Sequence, residues 1–227
     1  MATMVIGTES GGTLVGSDLL ERLRAGRLQS EDEVYAICGE PHPMIRDKHT
    51  SYMTPLIMDF VRAAPFFLTA TADGAGNCDV SPKGDPSGAV VVIDERTLAI
   101  PDRPGNRRVD GHRNVIQNPH MGLIFIIPGL DETLRINGRA FVTADPELLG
   151  TMLVQGKAPK LATIVEIDEV YMHCARAFLR AGMWKPDQWP DPDTIPTLGA
   201  IMAQQKDLPA PDESQGKRQE EYRSILY

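Results

Sequence analysis

The sequence predicts a mainly β protein, a Greek-key-like antiparallel barrel with flanking helices. From Phe66 onward, short runs rich in β-branched and large apolar residues recur: FFLTATA, AVVVI, TLAI, MGLIFII, TLRINGRAFVTA and LATIVEI. Clusters of turn formers separate them, namely DGAGN, KGDPSG, DERT, PDRPGN, NPH and PGLDE. Connections this short favour hairpins, so six or seven strands are expected to close antiparallel into a barrel. A chain of 227 residues with 42% apolar content can fill such a core. Aromatics make up only 6%, so Val, Ile, Leu and Met must supply most of the burial.

The helices are read from their caps. Residues 1–16 are rich in Gly and Thr and are expected to be mobile. Ser17 caps a helix through Leu19, Leu20 and Leu23. Ser30 and Glu33 have capping-box spacing, and Gly39 ends the short helix they open. Thr54–Pro55 opens a helix that runs to about Ala64 and stops at Pro65. Further helices are predicted at 110–117, after Asp145–Pro146, and at 172–181. Beyond Gly182, WKPDQWPDPDTIP reads as an extended strap, and IPTLGAIMAQQK and ESQGKRQEEYRSILY as short helices. Three regions result: a tail and helical region packing on the barrel (1–64), the barrel domain (65–182), and the strap with C-terminal helices (183–227).

Composition excludes several functions. A net charge of −8 repels phosphate backbones, so nucleic acid is not an expected partner, although a local basic cluster still suits one small anion. Cys38, Cys78 and Cys174 are odd in number, far apart and without metal-site spacing, which fits a reduced, cytoplasmic setting. The longest apolar run, Met121 to Ile127, is too short to span a bilayer, and the start of the chain does not read as a signal peptide. There is no GxGxxG after a strand, no Walker loop, no GxSxG elbow and no HExxH. His42, His49, His112, His120 and His173 show no ligand spacing, so no metal is expected.

Three segments can carry chemistry. PDRPGNRRVDGHRN (101–114) holds Arg103, Arg107, Arg108 and Arg113 against two aspartates, with Gly105 in a tight turn and Asp110 as a helix cap. A strand end, a glycine turn, arginines and a helix start suit a phosphate. The same residues also fit a solvated hairpin turn. Loop arginines of this kind are expected to be exposed and to add little to folding. In CDVSPKGDPSG (78–88), Lys83 follows a strand end with Ser81 nearby. A lysine point charge and a hydroxyl suit phosphate, and a plain surface loop fits too. In YMHCARAFLRAGMW (171–184), His173, Arg176 and Arg180 recur at near-helical spacing, while Tyr171, Ala175, Phe178 and Leu179 suit a packing face. Cys174 beside His173 does not read as a nucleophile, because helix neighbours point apart.

The succession APFFLTATADGAGNCDVSPKGDP, PDRPGNRRVDGHRNVIQNPHMGLIFIIPG, ETLRINGRAFV and HCARAFLRAGMW resembles the pyridoxamine 5′-phosphate oxidase-like FMN-binding superfamily over about residues 39–190. The resemblance is to a bacterial branch of FMN-dependent proteins whose substrates are undefined. It implies a split β-barrel homodimer with FMN at the subunit interface. Lys83 and the loop Arg103, Gly105, Asn106, Arg107 and Arg108 would contact the FMN phosphate and ribityl chain. Ser81 and Pro82 would lie near the flavin ring. Thr133 falls where the oxidases carry a glutamine. Arg176 and Trp184 would come from the partner subunit. The oxidases' R-x-V-L-L-K strand is here Cys78 to Lys83, without the arginine, and their C-terminal arginine–histidine pattern is not recognisable. The implied activity is an FMN-dependent oxidoreductase acting on an unidentified small molecule, with no side-chain acid or base singled out. Alternatives on the same fold are a non-enzymatic flavin-binding or sensing protein, or a haem or deazaflavin binder. Haem would need His112 or His173 as its axial ligand.

Overall fold

The computed structural model describes residues 16–209, 211, 215–223 and 226. The Gly/Thr-rich start, expected to be mobile, lies almost wholly outside these residues. The chain divides into two units, one ending at Lys48 and one beginning at His49.

The first unit holds α1 (Gly16–Ala25), α2 (Glu31–Cys38) and α3 (Pro43–Arg46). Ser17 lies inside the first turn of α1 rather than capping it. At α2 the capping reading holds. The Ser30 side chain accepts from the Glu33 amide, the Glu33 carboxylate accepts from the Gln29 amide, and Gly39 follows with φ 76°.

In the second unit, Thr54 caps α4 (Pro55–Ala63) as the sequence predicts. Strands β1 (Phe66–Ala72), β2 (Cys78–Gly84), β3 (Val91–Asp94) and β4 (Thr97–Pro101) follow. Then come α5 (Asp110–Gln117), β5 (His120–Ile126), β6 (Thr133–Thr143), α6 (Pro146–Thr151) and β7 (Ala162–His173). The chain ends with α7 (Arg176–Ala181), two short 3-10 turns in the proline-rich strap, α8 (Leu198–Gln205) and α9 (Gln215–Arg223).

All seven strands form one antiparallel sheet in the order β2-β1-β5-β6-β7-β4-β3. The β1–β5 and β4–β7 neighbours are far apart in sequence, which is the Greek-key feature. Among the described residues no ladder joins the edge strands β2 and β3, so the barrel stays split rather than closed. β2 lacks an apolar run because it is an edge strand, half-exposed along its length. Pro82 is tolerated there because it sits in an edge strand. Lys83 therefore lies within β2, paired with Phe67, and not beyond the strand end.

The core is mostly aliphatic, as the composition requires. Leu98, Leu123, Leu134, Ile136, Val165 and Val170 are almost fully buried around the stacked rings of Phe67 and Phe125, whose centroids are 5.0 Å apart. Each such side chain contributes about 1.5–3 kcal/mol by leaving water. The turn between β1 and β2 is held by Asp73, whose carboxylate accepts from the amides of Ala75 and Asn77 and from the Asn77 side chain. Those bonds hold the Asp73 carboxyl below its ordinary value.

Two further sequence expectations do not hold. Asp110 does not cap α5: Val109, in the left-handed region at φ 52°, holds that position, and Asp110 pairs with Arg108 instead. The helix expected from Met172 starts only at Arg176, because β7 runs on to His173 against the first residues of β6. His173 therefore does not share a helix face with Arg176 and Arg180.

A β-bulge at Asn137/Gly138 brings Gly138 against the backbone of Glu166 and Ile167. A Cβ there would collide with the Glu166 carbonyl. Gly138→Ala is expected to cost roughly 1–3 kcal/mol or more and to lower the melting temperature by several degrees. An unchanged melting curve would mean that the two strands can part without loss.

Candidate functional site

The split in the sheet holds a cavity of about 370 Å³, within the range of about 300–1,000 Å³ usual for small-molecule sites. From β2 and its continuation come Ser81, Pro82, Lys83, Gly84 and Asp85. From the end of β4 onward come Pro101, Arg103, Pro104, Gly105 and Asn106. Phe67 lies at its base. Two separate sequence segments, each read as suited to phosphate, thus meet across the split.

The segments are fastened by one side chain. Arg103 Nε donates to the Asp85 carboxylate, and its Nη1 donates to the Met152 carbonyl at the end of α6, 2.9 Å away. Both side chains are buried, Arg103 at 13% and Asp85 at 8% exposure. The remaining nitrogen, Nη2, is buried without a hydrogen-bond partner. This overturns the expectation of an exposed loop arginine. Arg103 is built into the fold, and its positive charge is already offset.

Around this frame, Thr69 Oγ1 donates to the Ser81 carbonyl, and Ser81 Oγ donates to Asp79. Asn106 Oδ1 accepts from the Arg108 amide. Arg107 takes φ 60° and Val109 φ 52°, unusual for residues with a side chain. Arg107 and Arg108 are exposed and do not line the cavity. Arg108 pairs with Asp110 at 2.7 Å, which raises the arginine's already high pKa.

Thr133, Arg176 and Trp184 also lie outside the cavity lining. Thr133 is buried opposite His173. Trp184 donates to the Leu130 carbonyl at 2.8 Å and packs on Phe178. Arg176 begins α7 and, with its backbone amide, lowers the pKa of the exposed Cys174 thiol. A second cavity, about 390 Å³ at the β3–β4 turn, is lined by Asp94, Glu95 and Glu166 beside Arg96. Its carboxylates oppose an anion. Among the described residues no cluster of His, Cys, Asp or Glu could hold a metal ion, and no helix is long and apolar enough to cross a membrane.

Sequence reasoning missed Asp85 and Asp102 as parts of the site. The signal was present, since each aspartate sits within two residues of Lys83 or Arg103. His112 was read only as a haem-ligand alternative. In the structure its Nε2 lies 3.7 Å from Asp102 and its Nδ1 is buried without a partner. Burial pushes its pKa down and Lys83 pushes it further, while Asp102 pulls the other way.

An open antiparallel barrel of this strand order, with its cavity in the split, is a split β-barrel. Residues 53–174 match the family model described as pyridoxamine 5′-phosphate oxidase, over half of the chain, and the protein belongs to that family. No curated protein matches it. Solved structures similar to it include a putative pyridoxamine 5′-phosphate oxidase from Lactobacillus delbrueckii, at 20% identity and TM-score 0.42 over 54% of this chain and 95% of that one. An FMN-binding protein from Syntrophomonas wolfei matches at 11% identity and TM-score 0.40, over 69% of this chain and 97% of that one. HutZ, a heme storage protein from Vibrio cholerae, matches at 14% identity and TM-score 0.37, over 52% of this chain and 92% of that one.

Arg103→Ala is expected to destabilise the protein in the absence of any ligand. Removing one partner of a buried ion pair typically costs about 3–5 kcal/mol, because the other charge stays buried. Thermal unfolding of the ligand-free variant checks this, and an unchanged midpoint would return Arg103 to the surface loop.

Proposed function

We propose that this protein binds FMN in the split of its barrel, phosphate toward Lys83, and works as a flavin-dependent oxidoreductase on a small molecule. The observation that carries the reading is that Lys83 and Arg103 line one cavity, and that Arg103 keeps one buried nitrogen, Nη2, without a hydrogen-bond partner. A buried donor without an acceptor costs about 1–3 kcal/mol, and an anionic oxygen relieves that cost. Lys83 supplies a point charge that needs no fixed angle. Gly105 and Asn106 let the loop backbone come close, and Ser81 and Pro82 line the cavity along β2 toward the ring.

FMN, when bound, supplies two-electron chemistry at its ring. The chain's residues then bind and orient it and tune its surroundings. This division of labour agrees with the lack of a nucleophile–base pair among the lining residues. In the proposed homodimer, Arg176 and Trp184 complete the site across a two-fold axis, the commonest symmetry for such assemblies. The haem alternative draws little support from His112, whose Nε2 is turned to Asp102 and whose Nδ1 is buried.

Flavin fluorescence titration tests the reading. The protein should bind FMN more tightly than riboflavin. Lys83→Ala should weaken FMN by about ten- to hundredfold, the worth of a hydrogen bond to a charged group, and leave riboflavin nearly unchanged. Equal affinity of the unaltered protein for the two flavins would contradict phosphate recognition at this cavity. Light scattering of the FMN-loaded protein should report a dimer, and a monomer that holds FMN equally well would remove the shared-site model. Bleaching of the flavin by NADH or NADPH should separate an enzyme from a carrier.

A further inference from the structure

We propose that His112 takes up a proton when a phosphate monoester binds beside Lys83, so that affinity for the phosphate is coupled to pH. The inference rests on the reading of the cavity as a phosphate site and deepens it.

Lys83 and Arg103 bring two positive charges to the cavity, and Asp85 and Asp102 set two negative charges against them. Asp102 stands between the lining residues Pro101 and Arg103. A phosphate dianion therefore enters a frame with no positive surplus. His112 is the adjoining group that can change its charge near neutral pH.

The His112 ring is 86% buried, by its 14% side-chain exposure, with Nε2 3.7 Å from Asp102 and Nδ1 enclosed without a partner. α5 packs on β1, β2 and β6. β1 has no ionisable side chain. On β2, Lys83 bears on the imidazole, whereas Asp79 bears on Arg108. On β6, Arg135 lies over the Tyr171 ring and Arg139 is exposed. On α5 itself, Asp110 is engaged by Arg108 and Arg113. Burial, Asp102 and Lys83 thus decide the charge of His112.

The sign follows. Without ligand, burial and Lys83 favour the neutral ring over the opposition of Asp102. A phosphate beside Lys83 cancels that lysine's repulsion and adds attraction, so the bound state holds the proton more firmly. Linkage then requires anion affinity to rise as pH falls through the interval between the free and bound titrations.

The experiment is an NMR pH titration of the histidine rings in the full chain, with His112 assigned through His112→Gln. It is run without ligand and with sodium sulfate, FMN or riboflavin. Sulfate keeps its double charge throughout and so removes the titration of the phosphate itself. The His112 midpoint should rise by about 0.5 pH or more with sulfate and with FMN, and stay in place with riboflavin. Sulfate should bind more tightly as the pH is lowered, by at most about tenfold per pH unit for one proton, with His112→Gln flat. FMN bound with an unmoved His112 midpoint overturns this inference and leaves the flavin reading standing. A sulfate-induced rise without FMN binding upholds the inference and overturns the flavin reading. No rise with saturating sulfate and no FMN binding overturns both.

Discussion

The guanidinium of Arg103 crosses the opening of the barrel. On one side, Asp85 follows the edge strand β2. On the other, the chain has just left β4, the neighbour of the opposite edge strand β3. No backbone ladder joins these margins among the described residues, so side chains must hold them in register. The second bond of Arg103, to the Met152 carbonyl, fixes the same point to the end of α6. Three pieces of chain distant in sequence share one cation, and the cavity keeps its shape while they do.

That constraint shapes the chemistry of the cavity. Because Asp85 offsets Arg103, the arginine adds little net charge to the cavity. Lys83 then remains, among the described residues, as the cation of the lining outside an ion pair, with Asp102 and His112 behind it. The loop beyond is held in costly conformations. Left-handed backbone at Arg107 and Val109 costs about 1–3 kcal/mol per residue, and it persists beside the Asn106–Arg108 bond and the Arg108–Asp110 pair.

Much of this could be read from the chain. Turn clusters and β-branched runs located six strands, and side-chain caps at Ser30, Thr54 and Asp145 located three helices almost to the residue. Those signals are local, and local bonds make them. β2 was harder, since an edge strand shows no apolar stripe. The late start of α7 was hidden because β7 continues through residues whose pairing with β6 is a matter of register. At the site, Ser81, Lys83, Arg103 and Gly105 were legible by residue type, and Pro82 and Asn106 through the family resemblance; all six line one cavity. The burial of Arg103 was not, because its partners lie 18 and 49 residues away in sequence. Composition marks an arginine as a surface residue until a buried carboxylate is shown to wait for it.

In the proposed site, the split of the barrel receives a phosphate against Lys83 and the spare nitrogen of Arg103. A crystal structure of the protein grown with FMN tests it most directly. The account predicts phosphate oxygens within hydrogen-bond distance of Lys83 Nζ and Arg103 Nη2, with the Arg103–Asp85 pair intact. A phosphate held instead by the exposed Arg107 and Arg108, with Lys83 and Arg103 untouched, would contradict it.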